Sequence, residues 1–272
     1  MKIKQLVEKA FCPNTINISL FVLYQAALTY AKSKWNKITP FTSGGRWYHT
    51  CGGTLIANNW VMTAGHCIGS YTYRVVIGKH SLSATETGSI AASVQKIVVH
   101  PNWNSNLLSN GNDIALIKLA QPVTLSSKIQ LACLPPAGAI LPHNYACYVT
   151  GWGRLQTSTA EAGSCFLLDS AESPWQKPGR LLVVDFQTCS SSSWWGSSVK
   201  TNMVCAGGDG VISSCNGDSG GPLNCQGANG QWEVHGVVSF GSALSCNYYR
   251  KPSVFTRVSN YNSWITQVIA SN

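Results

Sequence analysis

The chain reads as an all-β protein closed by one C-terminal helix, and three observations carry that reading. From Arg46 onward, short runs of alternating or β-branched residues recur with turn signals between them. The final stretch then switches to helical spacing. Eleven cysteines and 25 glycines in 272 residues, with only 11% of residues charged, describe a loop-rich globular chain rather than a disordered one. Regularly spaced short strands fit a sandwich or a barrel, and the length fits one compact unit or two small ones.

Taken in order, the N-terminus carries an apolar run, "ISLFVLYQAALTYA" at 18–31, flanked by lysines. It is too short and too polar for a membrane span, so no stable membrane insertion is expected. It reads either as a secretory signal, with Thr29 and Ala31 at a weak cleavage site, or as sequence outside the folded domain. Residues 1–45 are therefore set apart from a domain at 46–272. The strand candidates are "YRVVIGKH", "SVQKIVVH", "DIALIKL", "CYVTGWG", "RLLVVDF", "WEVHGVVSF" and "SVFTRV". Residues 158–179 fit no strand and read as a long surface loop with its own cysteine, Cys165. Tyr261, Trp264, Ile265, Val268 and Ile269 follow helical spacing, with Ser259 as the expected N-cap.

Cysteine usage and charge narrow the function classes. No CxxC pair occurs, which disfavours a zinc ribbon and favours disulfides in an oxidising, extracellular compartment. The odd count leaves at least one cysteine free or paired between chains. The net charge of +9 is concentrated at the start, where residues 1–45 hold six lysines and one acid. With no dense basic run interleaved with aromatics, nucleic acid is not an expected partner. A basic module for membrane surfaces or heparin in those 45 residues is a further reading.

The stretch "SSCNGDSGGPLNC" at 213–225 sets one serine, Ser219, and one acid, Asp218, among glycines and small residues. A serine hydroxyl is a weak nucleophile until a base takes its proton, and that base needs a third group to orient it. His66, in "VMTAGHC" beside Cys67, is a candidate base. Asp113, heading the strand "DIALIKL", is a candidate orienting acid. Singly, each has a structural explanation: a packed histidine, a turn-forming aspartate, a tight glycine bend. Jointly they point to nucleophilic catalysis.

"TAGHC", "DIAL" and "GDSGGP", in that order, resemble the chymotrypsin-like serine proteases. The likeness is closest to the pancreatic elastase-2 type, through "NDIALIKLAQPVTLSSKIQLACLPPAG", "CYVTGWGRLQT" and "CNYYRKPSVFTRVSNY". It runs from Arg46 to the end, except 158–179. The resemblance implies two antiparallel β-barrels with the active site in the cleft between them. It implies Ser219 as nucleophile, His66 as general base and Asp113 as its orienting group. Gly217 and Ser219 would supply the backbone N–H groups of an oxyanion hole. It also implies bridges Cys51–Cys67, Cys147–Cys225, Cys189–Cys205 and Cys215–Cys246, leaving Cys12, Cys133 and Cys165. The uncharged Ser213 would form the base of a specificity pocket, with Gly241 and Ser253 as walls. Ser239, Phe240 and Gly241 would pair with the substrate backbone. Such a pocket suits Leu, Met, Phe or Tyr.

The expectation is thus a secreted, monomeric serine endopeptidase acting on proteins and peptides, open to serine protease inhibitors, with no cofactor. Lys79 stands where calcium-binding relatives place a carboxylate, so no metal is expected. Relatives begin their mature chain near the position of Val22, after a basic residue and with glycines following. Here "SLFVLYQ" stands instead. The competing expectation is therefore a silent, zymogen-like binding protein in which the Asp218 carboxylate is held by His49 or turned toward water, and the oxyanion hole is collapsed.

Overall fold

The computed structural model describes residues 25–31, 47–154 and 177–272, the side chains of Ala31 and Lys177 excepted. Its strands are β1 (Gln25–Ala31), β2 (Trp47–Ala57), β3 (Trp60–Thr63), β4 (Thr72–Ile77), β5 (Ile90–Val99) and β6 (Ala115–Leu119), then β7 (Ala146–Gly151), β8 (Lys177–Val184), β9 (Met203–Ala206), β10 (Pro222–Gln226), β11 (Trp232–Phe240) and β12 (Ser253–Arg257). Every strand pair is antiparallel. The first six strands close a barrel in the order β1-β2-β3-β6-β5-β4, and the last six close a second with the same order, β7-β8-β9-β12-β11-β10. Closure leaves neither sheet an open edge.

The seven "strand" runs fall on β4, β5, β6, β7, β8, β11 and β12. Three differences from the sequence reading are informative. Residues 25–31, set apart within 1–45, form β1 and pair with both β2 and β4. Its residues are small: Ala26 and Leu28 face the main core, and Ala27 packs with Val76 and Trp152 on the other side. Alternation of alanines lacks the β-branched signature of a strand. Lys177–Gly179, at the end of the predicted 158–179 loop, belong to β8 and pair with Val149–Gly151. The rest of that loop, Cys12 and Cys165 lie outside the described residues.

The third difference is the C-terminal cap. A short helix, α1 (Phe186–Cys189), follows β8, and α2 (Asn262–Ala270) ends the chain. Its N-cap is Tyr261, without a side-chain cap bond. Ser259 lies one turn earlier, and its hydroxyl donates to the Ala139 carbonyl at 2.7 Å. Ser259 therefore pins the chain to the segment joining the barrels instead of capping the helix. Ile265 and Val268 of α2 bury against the first barrel's core, with Leu55, Ile56 and Ile114 in the same cluster.

Candidate active site

Asp113 precedes β6 and is fully buried, followed by Ile114, Ala115, Leu116 and Ile117, each likewise without exposure. A carboxylate in such surroundings must be fully hydrogen-bonded. His66 Nδ1 lies 2.7 Å from Asp113 Oδ2, and the His66 backbone N–H donates to Oδ1 at 2.8 Å. Ser239 Oγ donates to Oδ2 at 2.5 Å, and Thr256 Oγ1 donates to the Asp113 carbonyl at 2.7 Å. With Nδ1 facing the carboxylate, the imidazole presents Nε2 outward as the proton acceptor. The His66 side chain is 26% exposed, and its Nε2 lies 3.9 Å from Cys67 Sγ.

His66 sits in a single 3-10 turn, Gly65–Cys67, directly after β3. The Cys51–Cys67 bridge ties that turn to β2. Gly65 lets the turn lie flat on Trp103, since a Cβ there would meet the indole at 3.0 Å. The two cysteine sulfurs beside His66 are joined to each other, which leaves no thiolate there to hold a metal.

Ser219 occupies the turn before β10. The Gly52 N–H donates to the Ser219 carbonyl at 2.7 Å, and Thr63 Oγ1 donates to the Gly52 carbonyl at 2.8 Å. The approach depends on missing side chains: a Cβ on Gly52 would stand 2.8 Å from Gly221 Cα, and one on Gly220 would stand 2.2 Å from Thr63 Oγ1. Gly217 and Gly220 also adopt positive φ, 98° and 76°. The glycines around the serine are thus required by backbone conformation and by contact between the barrels. Ser219 makes no hydrogen bond to His66 in this structure; bonds between a nucleophile and its base are often long in an unliganded enzyme and tighten with substrate.

The Gly217 and Ser219 backbone N–H groups have no acceptor among the described residues, whereas the Asp218 N–H between them donates to the Cys215 carbonyl. The Asp218 carboxylate points away from them, accepting from the Gly153 N–H at 2.8 Å and the Cys215 N–H at 2.9 Å. It fits because residues 151 and 153 are glycines, at which a Cβ would overlap the carboxylate. His49, expected to hold this acid, has its Nε2 2.9 Å from the Gly217 carbonyl, one residue before Asp218.

The predicted pocket residues lie together on the second barrel. Ser213 Oγ donates to Asn247 Oδ1 at 2.7 Å. Ser253 is buried behind it and accepts from both the Ser214 N–H and Oγ at 2.9 Å, so its hydroxyl is consumed in the wall. Gly241 is exposed, and a Cβ there would meet nothing within 4 Å. Phe240 stacks edge-on against Trp195, centroids 5.4 Å apart. The Cys215–Cys246 bridge joins the serine turn to this wall. Cys147–Cys225 and Cys189–Cys205 complete the bridges between described cysteines, and Cys133 is also disulfide-bonded, its partner lying outside the described residues.

Sequence reasoning missed Gly52, Thr63 and Gly153, whose roles are backbone contacts across the fold. It also missed that Ser239 serves Asp113, a link no local spacing reveals. The loop after β4 does not suit a calcium ion: Lys79 Nζ donates to the carbonyls of Ser81 and Ala84, and Glu86 accepts from the N–H groups of His80 and Ser81. The carbonyls and the carboxylate that a divalent cation would use are engaged with nitrogen donors.

Residues 24–265 match the family model described as Trypsin. The chain is 58% identical over 233 residues to "Chymotrypsin-like elastase family member 1" of Canis lupus familiaris, covering 85% of this chain and 86% of that protein. It is 57% identical over 231 residues to the protein of that name in Rattus norvegicus, covering 85% and 82%. It is 54% identical over 235 residues to "Chymotrypsin-C" of Bos taurus, covering 86% and 83%. With two six-stranded barrels meeting at a histidine–aspartate pair and a glycine-flanked serine, the chain belongs to the trypsin family of chymotrypsin-like serine proteases.

Proposed function

We propose that this protease is a secreted endopeptidase that cleaves after Leu, Met, Phe or Tyr through an acyl-enzyme, with an oxyanion hole already set. Ser219 Oγ attacks the scissile carbonyl carbon while His66 Nε2 takes its proton. Asp113 holds the imidazole tautomer and faces the imidazolium that forms. The charge on the former carbonyl oxygen is received by the N–H groups of Gly217 and Ser219. The imidazolium then protonates the leaving amine, and water repeats the sequence in reverse to free the acid. The protease domain in this reading takes in β1 as well as residues 46–272.

The observation that carries the reading is the pairing of Asp218 with the Gly153 and Cys215 N–H groups, while those of Gly217 and Ser219 have no acceptor among the described residues. It favours a set oxyanion turn over the silent, zymogen-like alternative with a collapsed one. Specificity for apolar residues rests on uncharged Ser213 and open Gly241; an Asp at the base would instead demand Lys or Arg. The elastase names of the relatives agree with an apolar preference. Secretion is supported by the disulfides. Proteins and peptides are the substrates and serine protease inhibitors the expected regulators, acting on a monomer. No helix among the described residues is long and apolar enough to cross a membrane.

The test is turnover of peptide amides by the purified chain, with active-site titration of Ser219 by an organophosphorus reagent. Cleavage after Leu, Met, Phe or Tyr at least a hundredfold above cleavage after Arg is expected. Efficient cleavage after Arg would overturn the specificity. Labelling of Ser219 without peptide turnover would return the chain to the silent reading.

A further inference from the structure

We propose that a cavity of about 490 Å³ on the first barrel docks an acidic segment of a peptide or protein. Its walls include Trp47, His49, Arg74, Val76, Lys79 and Leu82, and none of His66, Asp113 or Ser219. Arg74 is the fixed cation of this cavity. Its Nε donates to Thr29 Oγ1 at 3.2 Å, and its head group lies over the Trp47 ring, 4.4 Å from the centroid. Those two contacts fix the plane of the guanidinium while leaving both Nη groups without an acceptor among the described residues. A fixed fork with its outer donors unused is matched to a carboxylate.

The charge of this cavity is uncompensated. All three ion pairs among the described residues use a histidine as the cation: His66–Asp113, His143–Asp185 and His235–Glu233. Arg74 therefore has no acidic partner, although burial already pulls its pKa down. Lys79 adds a second positive charge; its ammonium spends two donors on the carbonyls of Ser81 and Ala84 and keeps a third. Glu86, the nearest acid in the same loop, is turned to the N–H groups of His80 and Ser81. Val76, Leu82 and the Trp47 ring supply apolar wall beside these charges. A peptide offers carboxylates and apolar side chains together, whereas a sulfated sugar chain offers anions without an apolar face.

The experiment uses the full chain carrying Ser219→Ala, so that the probe survives, and a fluorescein-labelled, acetylated octapeptide alternating Glu and Leu. Fluorescence anisotropy should show saturable binding. Arg74→Gln should weaken it at least tenfold, and replacing each Glu of the probe by Gln should do the same. Absence of binding, or equal binding by Arg74→Gln, would overturn the proposal. Tighter, Arg74-dependent binding of a heparin fragment would overturn it as well, giving the site to a sulfated sugar. Should Arg74→Gln fail to fold, the Glu and Gln probes compared on the Arg74-containing chain decide the question.

Discussion

The first barrel carries His66 and Asp113 beside a large packed core, with two hydroxyls of the second barrel bonded to Asp113, whereas the second holds Ser219 and its pocket by cross-links and backbone hydrogen bonds. The core of the first barrel has large, buried side chains, among them Trp60, Leu55, Ile56 and Leu116, and one bridge, Cys51–Cys67, ties the histidine turn to it. Around Ser219 the neighbours are Gly217, Gly220 and Gly221, which contribute no side-chain packing. Three bridges lie in that barrel instead. The same strand order thus supports two ways of fixing a reactive group. A base needs a rigid, dry setting for its buried acid. A nucleophile needs bare backbone, and bare backbone must be held by covalent and hydrogen-bonded ties.

The largest effect should come from breaking the site on either side. Ser219→Ala and His66→Ala should each lower kcat on a peptide amide by roughly a million-fold, with the double variant scarcely worse, because such residues act as a unit. Additive losses would mean that the two barrels contribute independent catalytic devices.

The seam between the barrels should be next in sensitivity. Gly52 donates to Ser219 and lies against Gly221, so Gly52→Ala forces β2 and the serine turn apart. A shift near 1 Å at reacting groups costs about a hundredfold in rate. The expected result is a drop of about that size in kcat with KM little changed, read by steady-state kinetics. Wild-type kcat in a folded Gly52→Ala protein would show that the contact does not align the two halves.

Most of this site was legible because its chemistry is carried by short local motifs. "TAGHC", "DIAL" and "GDSGGP" put His66, Asp113 and Ser219 on view, and β-branched runs marked β4, β5, β6 and β12. What stayed hidden depends on distant chain segments. Asp218 finds the Gly153 N–H 65 residues away, and Ser239 finds Asp113 126 residues away. No spacing rule encodes either bond. β1 stayed hidden for another reason: "QAALTYA" is chosen for close approach to β2 and Trp152, and small residues look the same in a strand and in an apolar leader.

Removing one bridge from each side sharpens the comparison by about tenfold effects. Replacing Cys51 and Cys67 by Ala frees the histidine turn and should lower kcat. Replacing Cys215 and Cys246 by Ala loosens the link between the serine turn and the pocket wall, and should raise KM more than it lowers kcat. Each loss should also cost about 2–4 kcal/mol of stability, read from denaturant midpoints. If both variants changed the same kinetic parameter, the division between a packed base and a tethered nucleophile would fail.

The smallest effect concerns the place where the chain's last helix leans on the first barrel. His100, just after β5, stacks against Tyr261 and Trp264 at centroid distances of 5.3 and 5.0 Å. Burial there holds its pKa below the ordinary histidine value. As pH falls through about 6.5, the unfolded chain takes up this proton first, so the folded state loses stability until its own lower pKa is passed. The stabilisation is therefore complete above that unfolded value and declines on the acid side. His100→Phe keeps a ring between Tyr261 and Trp264 but cannot titrate. Its fall in melting temperature between pH 8 and pH 5 should be smaller than that of the wild type by a degree or so, on the order expected for one partly exposed group. Carboxylates contribute equally to both proteins and cancel in the comparison. An equal or larger fall in the variant would show that His100 binds its proton alike in the folded and unfolded chains, and that this contact between helix and barrel is indifferent to pH.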